Sequence, residues 1–227
     1  MTPWYVADMT CSAREVIAEL ERKLKPQPED NRLIPLVAEG RVPRHVLGAF
    51  AAEQISIIRS AQRSFLTLAA RSEGLAVAFF TRRTRRADQA VADAVRFAQA
   101  CGFSEEDLRD YEPLPGCQAY AAYYAWLALN GDTLDVALAI VPNYDTWGTY
   151  CDEMILPLRH KYGFSDEDIA FFELFTPPPT ELDEQAVDVI QEGLDRGWRP
   201  KHAYRYGRLL QSYEFMFWNT LADQADS

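Results

Sequence analysis

Apolar residues recur at intervals of three and four along almost the whole chain of 227 residues, and no segment of strand length alternates between apolar and polar residues. That spacing places the apolar side chains on one face of an α-helix, where they can pack against other helices. The sequence therefore predicts an all-α fold in which about eight or nine helices form one domain over residues 1–227. We expect the short tails at the two ends to be mobile.

Local signals mark where several of these helices begin and end. Ser12 followed by Glu15 is a capping box that opens a first helix, and Pro26 ends it. Pro43 suits the first turn of a long second helix. Pro142 lies inside a later helical pattern and has no N–H to donate, so the sequence predicts a kink there.

A third long helix is predicted between Gly74 and Gly102. Its inward stripe reads Val77, Phe80, Thr84, Ala87, Val91, Val95 and Ala98. The same segment carries a cluster of Arg82, Arg83, Arg85 and Arg86. In one continuous helix Arg82 and Arg86 lie opposite the stripe, which favours a solvated or subunit-contact face. No aromatic residues interleave with the arginines as they do on nucleic-acid surfaces.

Composition excludes several classes of function. The chain has 23 basic and 34 acidic residues, a net charge of −11, and a chain this acidic repels phosphate backbones, so nucleic acid is not an expected partner. No apolar run approaches the ~20 residues that span a bilayer, and the N-terminus lacks the pattern of a signal peptide. Four scattered cysteines without a CxxC pair indicate reduced thiols and a cytoplasmic protein.

Motifs for metals and common cofactors are absent from the sequence. The chain has three histidines, His45, His160 and His202, and none completes an ExxH or HExxH pattern. GxGxxG, the P-loop and GxSxG are also missing. The sequence therefore predicts neither a metal site nor a bound cofactor.

One carboxylate stands out on the last helix. The apolar stripe of this helix is Tyr206, Leu210, Tyr213, Phe217 and Leu221. Glu214 lies beside that stripe, with Trp218 one turn further on. Burial among aromatic side chains disfavours the anion and raises the pKa of a carboxyl group toward the range useful for proton transfer. The competing interpretation is a structural carboxylate paired with an arginine or a tyrosine hydroxyl.

Other polar and aromatic residues on apolar faces are candidates for binding a small molecule. Gln54 interrupts the stripe of the second helix and Glu53 borders the same face, although either could instead bond to a neighbouring helix. The remaining candidates come from a tyrosine-rich helix, the segment after Pro142 and the last helix: Tyr120, Tyr124, Asn143, Tyr144, Trp147, Tyr213 and Phe217. Buried tyrosine hydroxyls are commonly satisfied at ligand sites, but such stripes also occur in ordinary cores.

Three segments resemble the TenA/thiaminase II family. The last helix, SYEFMFWNTLAD at 212–223, is similar to that family's closing helix. The stretch 120–153, with its tyrosines, a GD turn and ALAIVPNYDTWGTY, also resembles the family, as does the helix after Pro43. The resemblance implies a heme-oxygenase-like bundle around a central small-molecule pocket. It also implies a thiamin-derived aminopyrimidine or a related heterocycle as ligand, and a homo-oligomer, either a dimer or a tetramer.

Matching positions imply roles for individual residues. Glu214 matches the closing-helix glutamate that handles protons at the substrate ring, and Tyr120 falls at a pocket tyrosine. Asn143 stands where thiaminase II has its nucleophilic cysteine, and Gln54 where the family has an aspartate that grips the aminopyrimidine. Two tyrosine positions of the family are also altered, at Ile57 and Trp147. Because an amide cannot attack carbon as a thiolate does, we expect cysteine-dependent thiamin cleavage to be absent or very slow.

Two functions remain open from the sequence. One is a metal-independent, hydrolase-type enzyme that acts on a small heterocyclic or aromatic substrate with Glu214 as general acid and base. Its substrate would come from thiamin salvage or from secondary metabolism. The other is a catalytically lapsed relative that binds or senses a small molecule.

Overall fold

The computed structural model describes residues 12–176 and 180–225, and within them it contains eleven α-helices and no β-strand. The helices are α1 (Ala13–Leu24), α2 (Leu33–Glu39), α3 (Arg44–Arg71), α4 (Leu75–Arg83), α5 (Ala87–Ala100), α6 (Glu105–Arg109), α7 (Pro115–Asn130), α8 (Thr133–His160), α9 (Ala170–Glu173), α10 (Thr180–Asp195) and α11 (Ala203–Ala225). The predicted all-α class is confirmed. Residues 1–11 and 226–227, in the tails expected to be mobile, lie outside the described residues.

Capping explains where the first helix begins. The Ser12 hydroxyl accepts a hydrogen bond from the backbone N–H of Glu15, and the Glu15 carboxylate accepts one from the backbone N–H of Ser12. This reciprocal pair satisfies two N–H groups that have no partner within the helix. The predicted capping box is therefore confirmed, and α1 ends at Leu24, just before the predicted stop at Pro26.

The predicted third helix is wrong in one respect, because it is two helices. The backbone N–H groups of Thr84, Arg85 and Ala87 each bond to the carbonyl three residues earlier, which forms a tight turn between α4 and α5. The inward face of α4 also differs from the predicted stripe. Val77, predicted to point into the core, is 39% exposed, whereas Phe79 is buried. This break and the unpredicted α2 bring the number of helices from nine to eleven in the described part of the chain.

Four long helices position the centre of the molecule. Helix α3 packs against α5 and α7, and α11 packs against α7 and α8. Phe50 of α3 joins them in an aromatic cluster, since its ring centroid lies 6.3 Å from that of Trp147 on α8 and 5.4 Å from that of Trp218 on α11. Helix α8 runs through Pro142 as one helix from Thr133 to His160. None of the described helices is long and apolar enough to cross a lipid bilayer.

Candidate functional site

A cavity of about 410 Å³ lies among α3, α7, α8, the turn between α4 and α5, and the segment after α9. That volume falls within the range of cavities that hold small-molecule ligands. Most of its wall is apolar, with Ile57 and Phe65 of α3 opposite Val141 of α8. Six residues of the predicted site line it: Gln54, Tyr120, Tyr124, Asn143, Tyr144 and Trp147.

Asn143 is the centre of a hydrogen-bond network in the cavity wall. The hydroxyls of Tyr120 and Tyr124, which lie one turn apart on α7, donate to Asn143 Oδ1 over 2.6 and 3.1 Å. On its other side, Asn143 Nδ2 donates to Glu214 Oε2 over 2.5 Å. Burial holds the pKa of both tyrosine hydroxyls well above the usual value, so they act as neutral donors. The amide thus uses both its oxygen and its nitrogen inside the wall.

Glu214 is a buried carboxyl group with neutral hydrogen-bond partners. It is 1% exposed, and besides Asn143 it accepts a hydrogen bond from Trp218 Nε1 at 3.3 Å. Burial raises its pKa to about 8, and the bonds from Trp218 and Asn143 lower it less than burial raises it. At neutral pH the group is therefore mostly a carboxylic acid that can donate a proton.

Glu214 lies one residue behind the cavity surface. Asn143 lines the cavity, and the carboxyl group is hydrogen-bonded to the far side of its amide. Contact between Glu214 and a molecule in the cavity would require the Asn143 side chain to rotate, because its Nδ2 occupies the hydrogen-bonding position at Oε2.

Three other residues of the predicted site lie away from the cavity lining. Glu53 is 1% exposed and accepts hydrogen bonds from the Tyr111 hydroxyl at 2.9 Å, the Leu114 N–H at 2.6 Å and the Gln118 amide. It thereby anchors the start of α7. The Tyr213 ring packs against Tyr123, and Phe217 packs into the aromatic cluster against Phe50. None of the three side chains lines the cavity.

The arginines of the cavity were not among the residues predicted to form the site. Arg82, Arg83, Arg85 and Arg86 all line it, at the turn between α4 and α5. Arg85 and Arg86 are exposed, as predicted for a solvated face, whereas Arg82 and Arg83 are half-buried. The prediction assumed one continuous helix, which put these side chains opposite the core. The run RRTRR between two apolar stripes was the available signal, since four cations in five residues suit a helix end better than its middle.

The cysteines of the described residues are protonated thiols. Burial raises the pKa of Cys101 to about 12, and it raises that of Cys117 and Cys151 as well. Cys151 is also close enough to Glu214 for a charge on that carboxyl to raise its pKa further. None of the three lines the cavity, so the described part of the chain offers no thiolate there. It also contains no cluster of three or more His, Cys, Asp or Glu side chains arranged to hold a metal ion.

Comparison with known proteins gives both a sequence match and structural matches. Residues 32–177 match the TENA/THI-4/PQQC family, a range that includes Gln54, Tyr120 and Asn143 but not α11 with Glu214. No curated protein matches the sequence.

Three solved structures illustrate the shared fold. A domain of unknown function with a heme oxygenase-like fold from Shewanella denitrificans OS217 has a TM-score of 0.72 at 13% identity, over 98% of this chain and 95% of that one. A TenA family transcription regulator from Silicibacter sp. TM1040 has a TM-score of 0.71 at 13% identity, and the match covers 91% of this chain and 96% of that one. A putative TenA-like thiaminase from Sulfolobus solfataricus P2 has a TM-score of 0.62 at 12% identity, and the match covers 93% of this chain and 94% of that one. At such identities the likeness shows the fold, which is heme oxygenase-like, as predicted.

Proposed function

Because the chain belongs to the TENA/THI-4/PQQC family, we propose that it is an enzyme that acts on a small heterocyclic or aromatic substrate without a metal, with Glu214 as general acid and base. The observation that carries this proposal is the buried carboxyl group next to a cavity of ligand size. Ionising a carboxyl group that keeps its proton at neutral pH costs free energy, and groups with such shifted pKa values are concentrated at functional sites.

The cavity wall suits a flat, polar ring. Phe65 and Trp147 offer apolar surface to the faces of a ring, while Gln54 and Tyr120 offer hydrogen bonds to its edge. Gln54 is 4% exposed, and its amide can both donate and accept. An exocyclic amino group and a ring nitrogen would satisfy such an edge, and an aminopyrimidine carries both.

Proton transfer begins with Glu214 as the acid. With a pKa of about 8 it is mainly protonated at pH 7 and can give its proton to a ring atom or to a departing group. The substrate reaches the carboxyl group when the Asn143 amide rotates away from Oε2. The resulting carboxylate then serves as the base that takes a proton from water in the hydrolytic step.

Cysteine-dependent thiamin cleavage is not part of this proposal. Asn143 stands at the position where the sequence resemblance implies the nucleophile, and no described cysteine lines the cavity. Hydrolysis of an amino group on a thiamin-type pyrimidine, or an equivalent reaction on a secondary metabolite, uses an activated water and needs no thiolate.

A lapsed enzyme that only binds its ligand is the second candidate. It is favoured by the position of Glu214 behind Asn143, whose amide is engaged on both sides by the tyrosines and the carboxyl group. In that case the network would serve to hold the wall in one shape.

Turnover of aminopyrimidines by the purified protein tests the enzyme proposal, with Glu214→Gln as the decisive variant. This substitution keeps the size of the side chain and one accepting oxygen, but an amide cannot transfer a proton as a carboxyl group does, so we expect kcat to fall ~10²-fold. The matched control is Asp135→Asn. Asp135 is also 1% exposed, but it lies away from the cavity and accepts hydrogen bonds from the backbone N–H groups of Lys201 and Ala203.

Its outcomes separate the two candidates. Loss of turnover in Glu214→Gln but not in Asp135→Asn supports the acid role. Tight binding of a ring compound without turnover, changed only modestly by Glu214→Gln, supports the lapsed enzyme. Equal turnover in the two variants would contradict a chemical role for Glu214.

A further inference from the structure

The four arginines at the turn between α4 and α5 identify the kind of substrate that the cavity accepts. We infer that its ligand carries an oxyanion, a phosphate or a carboxylate, which the arginines bind while the ring lies toward Asn143. The ring end of this inference rests on the function proposed above, whereas the anion end rests on the arginines alone.

The charge of the cavity is opposite to that of the protein. Four arginines and one aspartate, Asp145, are the charged residues that line the cavity, a formal charge of +3, while the chain as a whole carries −11. A cluster of one sign at a concave surface focuses the field and attracts ions of the opposite sign. A cavity lined by four cations and one anion in an otherwise acidic protein therefore favours an anionic ligand.

Arg83 connects this cluster with the inner end of the cavity. Its guanidinium lies 3.7 Å from the centroid of the Phe79 ring and 5.1 Å from that of Tyr144, and its Nη1 donates to the Phe79 carbonyl at 3.3 Å. These contacts fix the direction of the group. Its positive charge also acts on the hydroxyls of Tyr124 and Tyr144, where it offsets part of the effect of burial on their pKa.

Arginine is the residue suited to this task. Its planar guanidinium donates two parallel hydrogen bonds to a phosphate or carboxylate and stays charged at any physiological pH. Arg85 and Arg86 are exposed and can meet an incoming anion, and the half-buried Arg82 and Arg83 lie further in. Thiamin, whose thiazolium is a permanent cation, has the wrong charge for such an entrance.

A matched series of ligands tests this inference on the intact protein. The series is a hydroxymethyl-aminopyrimidine, its phosphate ester, its carboxylate analogue and its aminomethyl analogue, which is a cation. We expect calorimetry at low salt to show that one or both anions bind at least ~10-fold more tightly than the neutral compound and that the cation binds most weakly. The anion that binds more tightly identifies which oxyanion the cavity prefers.

Two variants assign the effect to the cavity. The double variant Arg85→Gln/Arg86→Gln removes two exposed cations and should abolish most of the preference for anions while leaving the affinity for the neutral compound unchanged. The control Arg63→Gln removes an exposed arginine of α3 that does not line the cavity, and it should leave the preference intact. Added salt should reduce the preference in the wild-type protein.

A second measurement tests the anion site without any aminopyrimidine. Inorganic phosphate or benzoate is added alone, and the unfolding temperature of the protein is measured. Stabilisation that disappears in the double arginine variant supports the anion site even if no aminopyrimidine binds or reacts. Equal affinities across the ligand series, together with no effect of phosphate or benzoate on the unfolding temperature, would overturn it.

Discussion

Two equally buried glutamates, Glu53 and Glu214, show that burial alone does not determine the role of a carboxyl group. Both are 1% exposed. Glu53 accepts from three donors, two of them in the loop before α7 and the third, Gln118, near the start of that helix. Glu214 accepts from two, Asn143 on α8, which lines the cavity, and Trp218 on its own helix at 3.3 Å. Three close donors hold Glu53 in place as an anchor for α7. Burial gives Glu214 a raised pKa and a proton that it can transfer.

The largest effect that we expect from this difference is the cost of removing the anchor. Glu53→Ala leaves the Tyr111 hydroxyl, the Leu114 N–H and the Gln118 amide without their acceptor, and we expect the free energy of unfolding to fall by about 3 kcal/mol. Urea denaturation measures this loss. A change within about 0.5 kcal/mol, as for an ordinary surface substitution, would remove the distinction between the two glutamates.

Glu214→Gln should have the opposite sign and increase stability. The pKa of Glu214 in the folded protein, about 8, is above its unfolded value near 4.5, so the folded protein holds a proton that the unfolded chain releases. The stability that this proton provides is complete below pH 4.5 and is lost as the pH rises toward 8. Glutamine cannot ionise, so the stability of the variant relative to the wild-type protein should be higher at pH 6 than at pH 4.5 by on the order of 2 kcal/mol.

Parallel denaturant titrations of the wild-type protein and the variant at several pH values measure this gain. The difference between the two proteins isolates Glu214 from other titrating groups. A gain that does not depend on pH would mean that Glu214 is ionised in the folded protein.

The pH dependence of turnover sharpens the comparison further. If Glu214 acts as the acid, kcat should decline about tenfold per pH unit above its pKa of about 8, because only the protonated form is active. Steady-state kinetics between pH 6 and pH 10 would show this decline. A rise in kcat through pH 8 would instead indicate that the ionised form of Glu214, as a base, limits the rate.

The smallest effect should come from the longer of the two hydrogen bonds. The hydrogen bond that Trp218 donates over 3.3 Å lowers the pKa of Glu214. Trp218→Phe removes this bond, so the pKa should rise and the midpoint of the alkaline decline in kcat should move upward by about half a pH unit. The same kinetic titration measures the shift. Tyr213→Phe on the same helix is the control, because Tyr213 neither bonds to Glu214 nor lines the cavity, and its midpoint should stay in place.

Strong local signals made part of the fold predictable. Ser12 and Glu15 cap α1 by contacts within three residues, so the sequence contained all of that information. The break between α4 and α5 carries no glycine or proline, and Thr84 and Arg85 are compatible with a helix. The charge run RRTRR is the local signal that remains for this break, and the position of the arginines at the cavity depends on it.

The site was predictable to a similar extent. Tyr120 and Tyr124 were identified because buried tyrosine hydroxyls are often satisfied at ligand sites, and Asn143 because it follows Pro142. The cavity brings the three together. The sequence singled out Glu214 by its aromatic neighbours and by its match to the closing helix of the family, whereas it left Glu53 either at a ligand or against a neighbouring helix. What distinguishes them is the identity of their partners, which lie 58 residues or more away for Glu53 and 71 away for the bond to Asn143.

The Asn143 amide has a consequence for selectivity. Its oxygen accepts from two tyrosines and its nitrogen donates to Glu214, so a molecule that turns it aside has to replace both kinds of bond. A purely hydrocarbon ring of suitable size would leave buried hydroxyls and a carboxyl group without partners, a penalty that favours rings with a donor and an acceptor at adjacent positions by orders of magnitude. The inner end of the cavity therefore discriminates among ligands by the hydrogen bonds that a ligand fails to make, while the shape of the cavity sets only the upper limit on ligand size.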